Sequence, residues 1–261
     1  MRPSHYLGDH TSLITTVHDH RMYVDTLDTI AAPHLILDGN WEGWVSRFIR
    51  QTLPRGACFV DVGAHLGWYT LLAHSCGARW VHSFEPNQRL HGLLERTLSI
   101  NGLSARTTLY DVALLDKESK EVFAVPLHWS GNGRIEPTGE RDSHEDERPT
   151  QRTVVTTKTL DDLLTTRSGQ HAWAVDFIKI DAEGAESRIL RGAAKLIEDN
   201  PQMRLLVEHH CLTEEYETMR WLLDTFGFAL GVVNHNSRVE EVPVEKLDQI
   251  PDSEMLFLSR G

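Results

Sequence analysis

Residues 59–67 read Phe-Val-Asp-Val-Gly-Ala-His-Leu-Gly, which predicts the end of a buried strand followed by a glycine turn. A helical pattern begins directly after the turn, and a second apolar run over 80–84 ends in Glu85-Pro86. In an open α/β sheet, a glycine turn after one strand and an acid after the next are typical of an adenine-nucleoside site. The stretch therefore predicts a doubly wound α/β sheet that binds a nucleoside at the carboxyl ends of its strands.

The spacing of the turn distinguishes between nucleoside ligands. It reads Asp-x-Gly-x-x-x-Gly, whereas a pyrophosphate-binding turn carries the tighter Gly-x-Gly-x-x-Gly. The looser form favours S-adenosylmethionine (SAM), which has no phosphate, over NAD. We expect Gly63 and Gly67 to admit the methionine end of SAM and Asp61 to orient its ammonium group. Glu85 should accept the ribose hydroxyls.

Composition narrows the classes of protein. The 261 residues suffice for one large domain, and the net charge of −12 opposes general nucleic-acid binding, because phosphates need a basic surplus. The three cysteines lack metal-binding spacing, and no apolar run approaches the roughly 18 residues of a membrane span. We therefore expect a cytoplasmic protein without a membrane partner, and the composition does not exclude a homodimer.

Strand and helix patterns alternate along most of the chain, which predicts parallel strands. The apolar runs cover 59–62, 80–84, 107–111, 176–180 and 204–208. Residues 1–57 have a mixed pattern and predict an N-terminal cap on the acceptor side, so that 58–261 form the SAM-binding domain. The polar segment 127–152 is too long for a simple connection, and we expect either a lid over the acceptor or a disordered insertion.

An acid ends or follows each of five successive predicted strands. These acids are Asp61, Glu85, Asp111, Asp181 and Glu208. A single acid in such a place is commonly a turn residue or a helix cap, but five in succession form a row at the edge where open sheets bind ligands. Asp111, Val112 and Ala113 should line the adenine.

Several motifs resemble those of the FkbM family of SAM-dependent methyltransferases. They are Val60-Asp-Val-Gly-Ala-His-Leu-Gly-Trp-Tyr-Thr70, Phe84-Glu-Pro-Asn87, Asn101-Gly-Leu103, Ala113-Leu114, Thr159-Leu-Asp-Asp162 and Ile178-Lys-Ile-Asp-Ala-Glu-Gly-Ala-Glu186. The resemblance spans about 35–260 and implies a Rossmann-like class I methyltransferase with a mostly parallel seven-stranded sheet. It also implies O-methylation of hydroxyls on natural products, sugars or glycans.

Strand-end pattern and resemblance together give one set of SAM-binding residues. The set is Asp61, Gly63, His65, Gly67, Glu85, Pro86, Asp111, Val112 and Ala113. His65 stands where the FkbM family most often has Asn, so its contacts with the methionine carboxylate differ from the family pattern.

The acceptor side leaves three readings open. Asp181 and Glu208 end strands that should be neighbours, about 5 Å apart. Asp181 or His209 would act as a general base, or Asp181, Glu208 and His209 would hold Mg²⁺ or another divalent metal that lowers the pKa of the acceptor hydroxyl. In the third reading the acids only cap helices. His209 and His210 are consecutive, so at most one of them faces the site.

Lys179 is a cation inside an otherwise apolar predicted strand. An unpaired buried ammonium group is costly, so we expect Lys179 to pair with an acid such as Glu183 or Glu208, or to extend outward. If it lies buried beside the acceptor, a lowered pKa would make it a further candidate base.

These observations predict a SAM-dependent O-methyltransferase acting on a small-molecule hydroxyl, above all of a saccharide or secondary metabolite. A peptide or RNA-linked hydroxyl is the alternative acceptor. From another class, the chain would be a non-catalytic SAM-binding subunit. The acids at 181, 183, 186 and 208 oppose that reading, because a scaffold that only binds SAM has no need of them.

Overall fold

The computed structural model describes residues 3–136, 149–165 and 174–261. The strands are β1 (Ser4–Gly8), β2 (Thr11–Thr15), β3 (Arg21–Asp25), β4 (Cys58–Val62), β5 (Trp80–Phe84), β6 (Thr107–Tyr110), β7 (Ala113–Leu114), β8 (Ser119–Pro126), β9 (Arg134–Ile135), β10 (Thr150–Lys158), β11 (Phe177–Ile180), β12 (Arg204–Glu208), β13 (Ala229–Val233), β14 (Val239–Glu241) and β15 (Met255–Ser259). The helices are α1 (Ala31–Asp38), α2 (Gly43–Thr52), α3 (Trp68–Ser75), α4 (Gln88–Ile100), α5 (Leu160–Leu164), α6 (Glu186–Arg191), α7 (Ala194–Asp199) and α8 (Thr213–Phe226).

The main sheet has the order β14-β13-β15-β12-β11-β4-β5-β6. The five strands from β12 to β6 run parallel, and β15 lies antiparallel between β12 and β13. The expected seven strands are joined by an eighth, β14, which adds three exposed residues at one edge through a hairpin with β13. Its sequence, Val-Glu-Glu, carries no buried face, which is why the apolar pattern did not reveal it.

Helices cover both faces of the main sheet, as a doubly wound fold requires. Side chains from α1 to α4 pack with Phe59 and Phe177 on one face, and side chains from α5 to α8 pack with Val60 and Ile178 on the other. Consecutive residues of the same strand, such as Phe59 and Val60 of β4, thus pack into opposite cores, because successive side chains of a strand point to opposite faces. Among the described helices, none is both long and apolar enough to cross a membrane.

The residues before β4 pack directly onto the first face of the sheet. Strands β1, β2 and β3 form a small antiparallel sheet, and Met22 and Val24 of β3 share a core with Leu90 and Leu94 of α4. Helix α2 buries Val45, Phe48 and Ile49 in the same core. The predicted boundary at residue 57 stays a prediction.

A second sheet, of order β7-β10-β8-β9, lies within the predicted insertion and its flanks. Strands β8 and β10 pair antiparallel, with Thr150 opposite Pro126 and Thr157 opposite Ser119. Residues 150–152, which belong to the predicted insertion, therefore form the start of β10. The described part of 127–136 folds back, and β9 pairs with β8. Residues 137–148 lie outside the described residues, so the choice between a lid and a disordered insertion at 127–152 stays open.

Gly63 sets how closely β4 approaches the end of β11. Its φ is +72°, and a Cβ atom there would lie 1.8 Å from the backbone carbonyl oxygen of Asp181. We predict that Gly63→Ala lowers the free energy of unfolding by about 3 kcal/mol, because two paired backbones must separate. Gly227→Ala is the matched control, since Gly227 has a φ of +71° but open space at its Cβ position. It should cost only about 1 kcal/mol; equal losses in urea unfolding would contradict the crowding argument.

Candidate active site

A cavity of about 270 Å³ lies over the carboxyl ends of β4, β5, β11 and β12. Its floor consists of the residues that end these strands. Trp41 and Glu42 close one side from the segment before β4, and Trp129 and Ser130 close another from the segment after β8. Three separate parts of the chain therefore form one chamber.

Most of the predicted SAM-binding residues line this cavity. They are Gly63, His65, Glu85, Pro86, Val112 and Ala113. The other three, Asp61, Gly67 and Asp111, are not among the lining residues. The structure thus gathers two-thirds of the predicted set, and it assigns the remaining three to other tasks.

Asp61 lies beneath the cavity and is not among its lining residues, so its contact with a ligand ammonium group stays a prediction. Its side chain is fully buried, and Oδ2 accepts a hydrogen bond of 2.6 Å from Thr70 Oγ1. Thr70 Oγ1 in turn lies 2.7 Å from Ser83 Oγ. Burial raises the pKa of Asp61, against the opposing effect of nearby Lys179. Asp61 therefore supports the underside of the turn.

Gly67 and Asp111 also lie outside the cavity lining, and their contacts with SAM stay predictions. Gly67 has a φ of +88°, and a Cβ atom there would lie 2.2 Å from Leu94 Cδ1, so packing of α4 against the turn requires glycine. Asp111 is exposed, whereas Val112 and Ala113 behind it line the cavity. The end of β6 thus contributes an apolar wall and no carboxylate.

Glu85 is held by the turn that follows β4. Its Oε2 accepts a hydrogen bond of 2.8 Å from the backbone N–H of His65, and its Oε1 accepts one of 2.8 Å from that of Asn87. Burial raises the pKa of Glu85, while His65 and these two N–H groups act in the opposite direction. Each oxygen keeps a second lone pair, so the fixed carboxyl can accept two further hydrogen bonds from a ligand.

Lys179 pairs with Asp181, not with Glu183 or Glu208 as expected. Its Nζ lies 2.8 Å from Asp181 Oδ2 and 4.8 Å from the centre of the Tyr69 ring, and its side chain is 2% exposed. Although burial acts to lower the pKa of Lys179, Asp181 and Asp61 hold it above its ordinary value. A lysine whose pKa is raised is a poor base, which opposes the predicted role of Lys179 as a base.

Asp181 and Glu208 are neighbours at the cavity, as predicted, because β11 and β12 pair in parallel up to Ile180 and Val207. Burial acts to raise the pKa of Asp181, but Lys179 outweighs it and holds the pKa below its ordinary value. Burial and the adjacent Asp181 raise the pKa of Glu208 to about 7. The two carboxyls therefore titrate as a pair, in which Lys179 favours the ionised form of Asp181 and burial favours the protonated form of Glu208.

Glu183 adds a third carboxyl to this group. It has a left-handed backbone with φ 54° and lines the cavity beside Asp181. Burial, Asp181 and Glu208 together raise the pKa of Glu183 to about 8. Ligand oxygens of these three residues lie within 4.8 Å of one another.

His209 is not among the residues that line the cavity, which opposes its predicted catalytic and metal-binding roles. Its Nδ1 lies 2.9 Å from Glu215 Oε2 and its Nε2 lies 3.2 Å from the Ile250 carbonyl oxygen, so it joins α8 to the 244–250 segment. His210 takes the other direction, with Nε2 3.2 Å from Glu208 Oε2 and 3.7 Å from Glu186 Oε1. Contact with Glu208 raises the pKa of His210 to about 9, so it is a cation at neutral pH.

Glu42 is a cavity residue that sequence reasoning missed. It precedes α2 with a left-handed φ of 38°, and its Oε2 accepts a short hydrogen bond from the Tyr69 hydroxyl. Burial and Asp181 raise the pKa of Glu42 to about 7. Its position between Trp41 and Gly43 gave no signal, because the contact joins segments that are 27 residues apart.

His65 connects the turn to two segments that the sequence did not link to it. Its Nε2 lies 3.0 Å from Ser130 Oγ and 3.7 Å from Asp28 Oδ2. Burial acts to raise the pKa of Asp28, but contacts with His65 and Ser130 hold it below its ordinary value. Asp28 and Ser130 were not among the predicted site residues.

The sequence model of the methyltransferase FkbM domain matches residues 61–231. The chain belongs to the FkbM methyltransferase family. The matched region begins at the strand-end aspartate of β4 and reaches β13, so it contains the cavity floor. A search of curated proteins finds no match for this FkbM methyltransferase.

Solved structures give the fold. Methyltransferase FkbM from Methylobacillus flagellatus KT matches with a TM-score of 0.53 and 17% identity, covering 82% of this chain and 47% of that chain. The present chain thus spans less than half the length of that relative. The match confirms the predicted class I, Rossmann-like fold, and at this identity it bears on the fold alone.

Two further methyltransferases match less closely. Precorrin-6y C5,15-methyltransferase from Geobacter metallireducens GS-15 has a TM-score of 0.44 and 12% identity, covering 87% of this chain and 90% of that chain. An rRNA methylase from Streptococcus thermophilus has a TM-score of 0.45 and 14% identity, covering 83% of this chain and 93% of that chain.

Lys179 should dominate the stability of the site. We predict that Lys179→Met lowers the free energy of unfolding by about 3 kcal/mol at pH 7, because it leaves the buried Asp61 and the partly buried Asp181 without their counter-charge. Lys179 depresses the pKa of Asp181, so the stability from this pair is present above the unfolded pKa and lost as the pH falls. In the variant, burial makes these carboxyls protonate at higher pH, so the deficit should shrink below about pH 6.

Urea unfolding between pH 4 and pH 8 measures this difference. Lys195→Met is the control, since it removes a half-exposed lysine whose Nζ lies 2.9 Å from Asp199 Oδ2. An exposed pair of this kind contributes less than about 1 kcal/mol. A deficit in Lys179→Met no larger than in the control would contradict the proposed role of the buried ammonium group.

Proposed function

We propose that this FkbM methyltransferase is SAM-dependent and methylates a hydroxyl of an uncharged or cationic small molecule, such as a saccharide or secondary metabolite. The observation that carries the proposal is the division of the cavity. Glu85, held by two backbone N–H groups, lies at one end, and the paired carboxyls of Asp181 and Glu208 lie at the other.

The Glu85 end of the cavity fits a nucleoside. The carboxyl of Glu85 would accept hydrogen bonds from the two ribose hydroxyls. Pro86, Val112 and Ala113 would form an apolar wall for the adenine. The acids at the other end suit the sulfonium of SAM, which is cationic. When bound, SAM supplies an activated methyl group, so the protein's task is to position the acceptor and to remove its proton.

Asp181 and Glu208 are the proposed proton acceptor. Lys179 keeps Asp181 ionised, so Asp181 accepts a hydrogen bond from the acceptor hydroxyl. The proton then enters the Asp181–Glu208 pair, whose pKa of about 7 at Glu208 is suited to a base at neutral pH. Glu42 faces this pair from the N-terminal segment and offers the acceptor a second carboxyl contact.

A divalent metal is the alternative means of activating the hydroxyl. Asp181, Glu183 and Glu208 present three oxygens within 4.8 Å, a set that fits Mg²⁺ by its chemistry. When bound, the metal would lower the pKa of the hydroxyl. We favour the base, because Lys179 already occupies Oδ2 of Asp181 and neutralises its charge.

The charge of the cavity bears on the acceptor. Glu42, Asp181, Glu183 and Glu208 line it, and the cation among them, Lys179, already pairs with Asp181. Phosphate or carboxylate next to the reacting hydroxyl would meet the ionised Asp181 and the partly ionised Glu42 and Glu208, which opposes an RNA-linked hydroxyl as the acceptor. A neutral polyol or an amino sugar meets no such repulsion.

The assignment of Glu85 has a direct test. We predict that Glu85→Gln weakens binding of S-adenosylhomocysteine by about 10-fold to 100-fold, since hydrogen bonds to a charged acceptor contribute about 1.5–3 kcal/mol. Asp111→Asn is the matched control: it removes an acid at the end of the next strand, but that acid is exposed and outside the cavity. Calorimetry should show unchanged affinity in the control. Equal affinities in both variants would refute the nucleoside site.

The proposed base predicts a pH profile. Methyl transfer should rise about tenfold per pH unit below pH 7 and level off above it, because only the fully ionised Asp181–Glu208 pair takes up a proton. Asp181→Asn should reduce turnover at least about 100-fold and change SAM affinity less than about tenfold. Mass spectrometry with methyl-labelled SAM and a panel of monosaccharides, amino sugars and phenols measures both effects.

Dialysis against EDTA separates the base from the metal. Under the proposed mechanism, turnover survives EDTA and the rise near pH 7 disappears in Glu208→Gln. Loss of turnover in EDTA, restored by Mg²⁺ or Mn²⁺, would favour the metal instead. Normal methylation by Asp181→Asn would contradict both.

A further inference from the structure

Ser130 lines the cavity, and Asp28 contacts Ser130 from a second segment; both residues lie outside the strand ends. Asp28 belongs to the connection between β3 and α1, and Ser130 belongs to the segment that follows β8. Both meet the ring of His65, which stands in the turn after β4. The turn after β4 is therefore held by side chains that are distant from it in sequence, and Ser130 is 65 residues from His65.

The contacts of Asp28, Ser130 and His65 form a continuous series of hydrogen bonds. Asp28 Oδ2 accepts hydrogen bonds of 2.7 Å from Ser130 Oγ and of 3.0 Å from Ser130 N–H. Ser130 Oγ lies 3.0 Å from His65 Nε2. The Asp28 carboxyl is 0% exposed, so its hydrogen bonds are shielded from water.

This series of hydrogen bonds ends at Glu85, the residue proposed to hold the ribose. The backbone N–H of His65 donates to Glu85 Oε2, so the position of the His65 residue fixes one oxygen of that carboxyl. His65 has a left-handed φ of 52°, an unfavourable conformation for a residue with a side chain, which its surroundings must stabilise. The ring contact with Ser130 supplies such stabilisation.

Helix capping explains the hydrogen bonds of only one of the two carboxyl oxygens of Asp28. Its Oδ1 accepts from the backbone N–H groups of Ile30 and Ala31, which begin α1. Among the described residues, its Oδ2 accepts hydrogen bonds from Ser130 alone, and His65 Nε2 lies 3.7 Å away. A helix cap needs the first oxygen alone, so the second has a separate use.

We propose that Asp28 and Ser130 are positioning residues of the SAM site, which hold Glu85 for the nucleoside through the ring and backbone of His65. The proposal rests on the proposed function, since it assumes that the cavity binds SAM. The effect passes through His65 and requires no contact between Ser130 and the ligand.

The experiment measures binding of S-adenosylhomocysteine and of 5′-methylthioadenosine, which lacks the amino acid, by calorimetry. Ser130→Ala should weaken both ligands by about threefold to tenfold, since one hydrogen bond is lost and the ribose end is common to both. Ser130→Thr keeps the hydroxyl and should restore the affinity. Thr29→Ala is the matched control: it removes a hydroxyl that donates to the His128 carbonyl, which joins the same two segments without contacting His65.

A double-mutant cycle tests the route through His65. In a His65→Asn background the ring is absent, so adding Ser130→Ala should change the affinity by less than about twofold. Thermal unfolding of each variant identifies any general loss of fold. An equal loss in Thr29→Ala, or additive losses in the double variant, would overturn the proposal.

These outcomes differ from failure of the proposed function. If the wild-type protein binds neither ligand, the SAM site itself is refuted. If the wild type binds both and Ser130→Ala binds them equally well, the SAM site stands and the positioning role falls.

Discussion

The ammonium group of Lys179 is almost completely shielded from water. It lies near the carboxyls of Asp181 and Asp61, which belong to the ends of two neighbouring strands. It bonds Asp181, acts on Asp61 from the neighbouring strand and lies against the Tyr69 ring. Each of these acids would resist burial in the ionised form without a nearby cation. The ammonium group therefore allows an acidic cavity to be built on a buried sheet, and it determines which carboxyl is ionised. Asp181 keeps its charge, while Glu208 and Glu183 hold protons more tightly.

The resulting cavity is polarised. One end offers Glu85 with both oxygens fixed by backbone N–H groups, and the other end offers carboxyls whose pKa values lie near neutral pH. A fixed acceptor of hydrogen bonds suits recognition, whereas a group that gains and loses a proton near pH 7 suits proton transfer. The separation of these two properties along a single crevice is what a methyl transfer to a hydroxyl requires of its protein.

The sequence predicted the sheet and the cavity floor because both depend on local patterns. Apolar runs ended by acids placed Glu85, Asp181 and Glu208 together at one edge, and the structure brings them there. Side-chain direction was harder. Asp61 precedes the strand end by one residue and so points to the helix face, and of the two histidines after β12 it is His210, not His209, that meets Glu208. The alternation of a strand limits such a choice to two faces but does not say which face is the site.

Contacts between distant segments lay beyond sequence reasoning altogether. Glu42 and Asp28 precede the first strand of the main sheet, and Ser130 follows β8, yet Glu42 and Ser130 line the same chamber and Asp28 holds Ser130 there. Nothing in their local pattern distinguishes them from residues of ordinary loops, because their partners are set by how the N-terminal segment and the second sheet pack on the main sheet. These segments differ from the floor in one further respect: they are not bound to the strand-end geometry that the fold imposes. Changes in the wall formed by Trp41 and Glu42 can reshape the acceptor side while Lys179 and Glu85 keep the floor constant, so selectivity for the acceptor should reside mainly in that wall. Asp28 and Ser130 are less free to change, because their contacts reach Glu85 through His65.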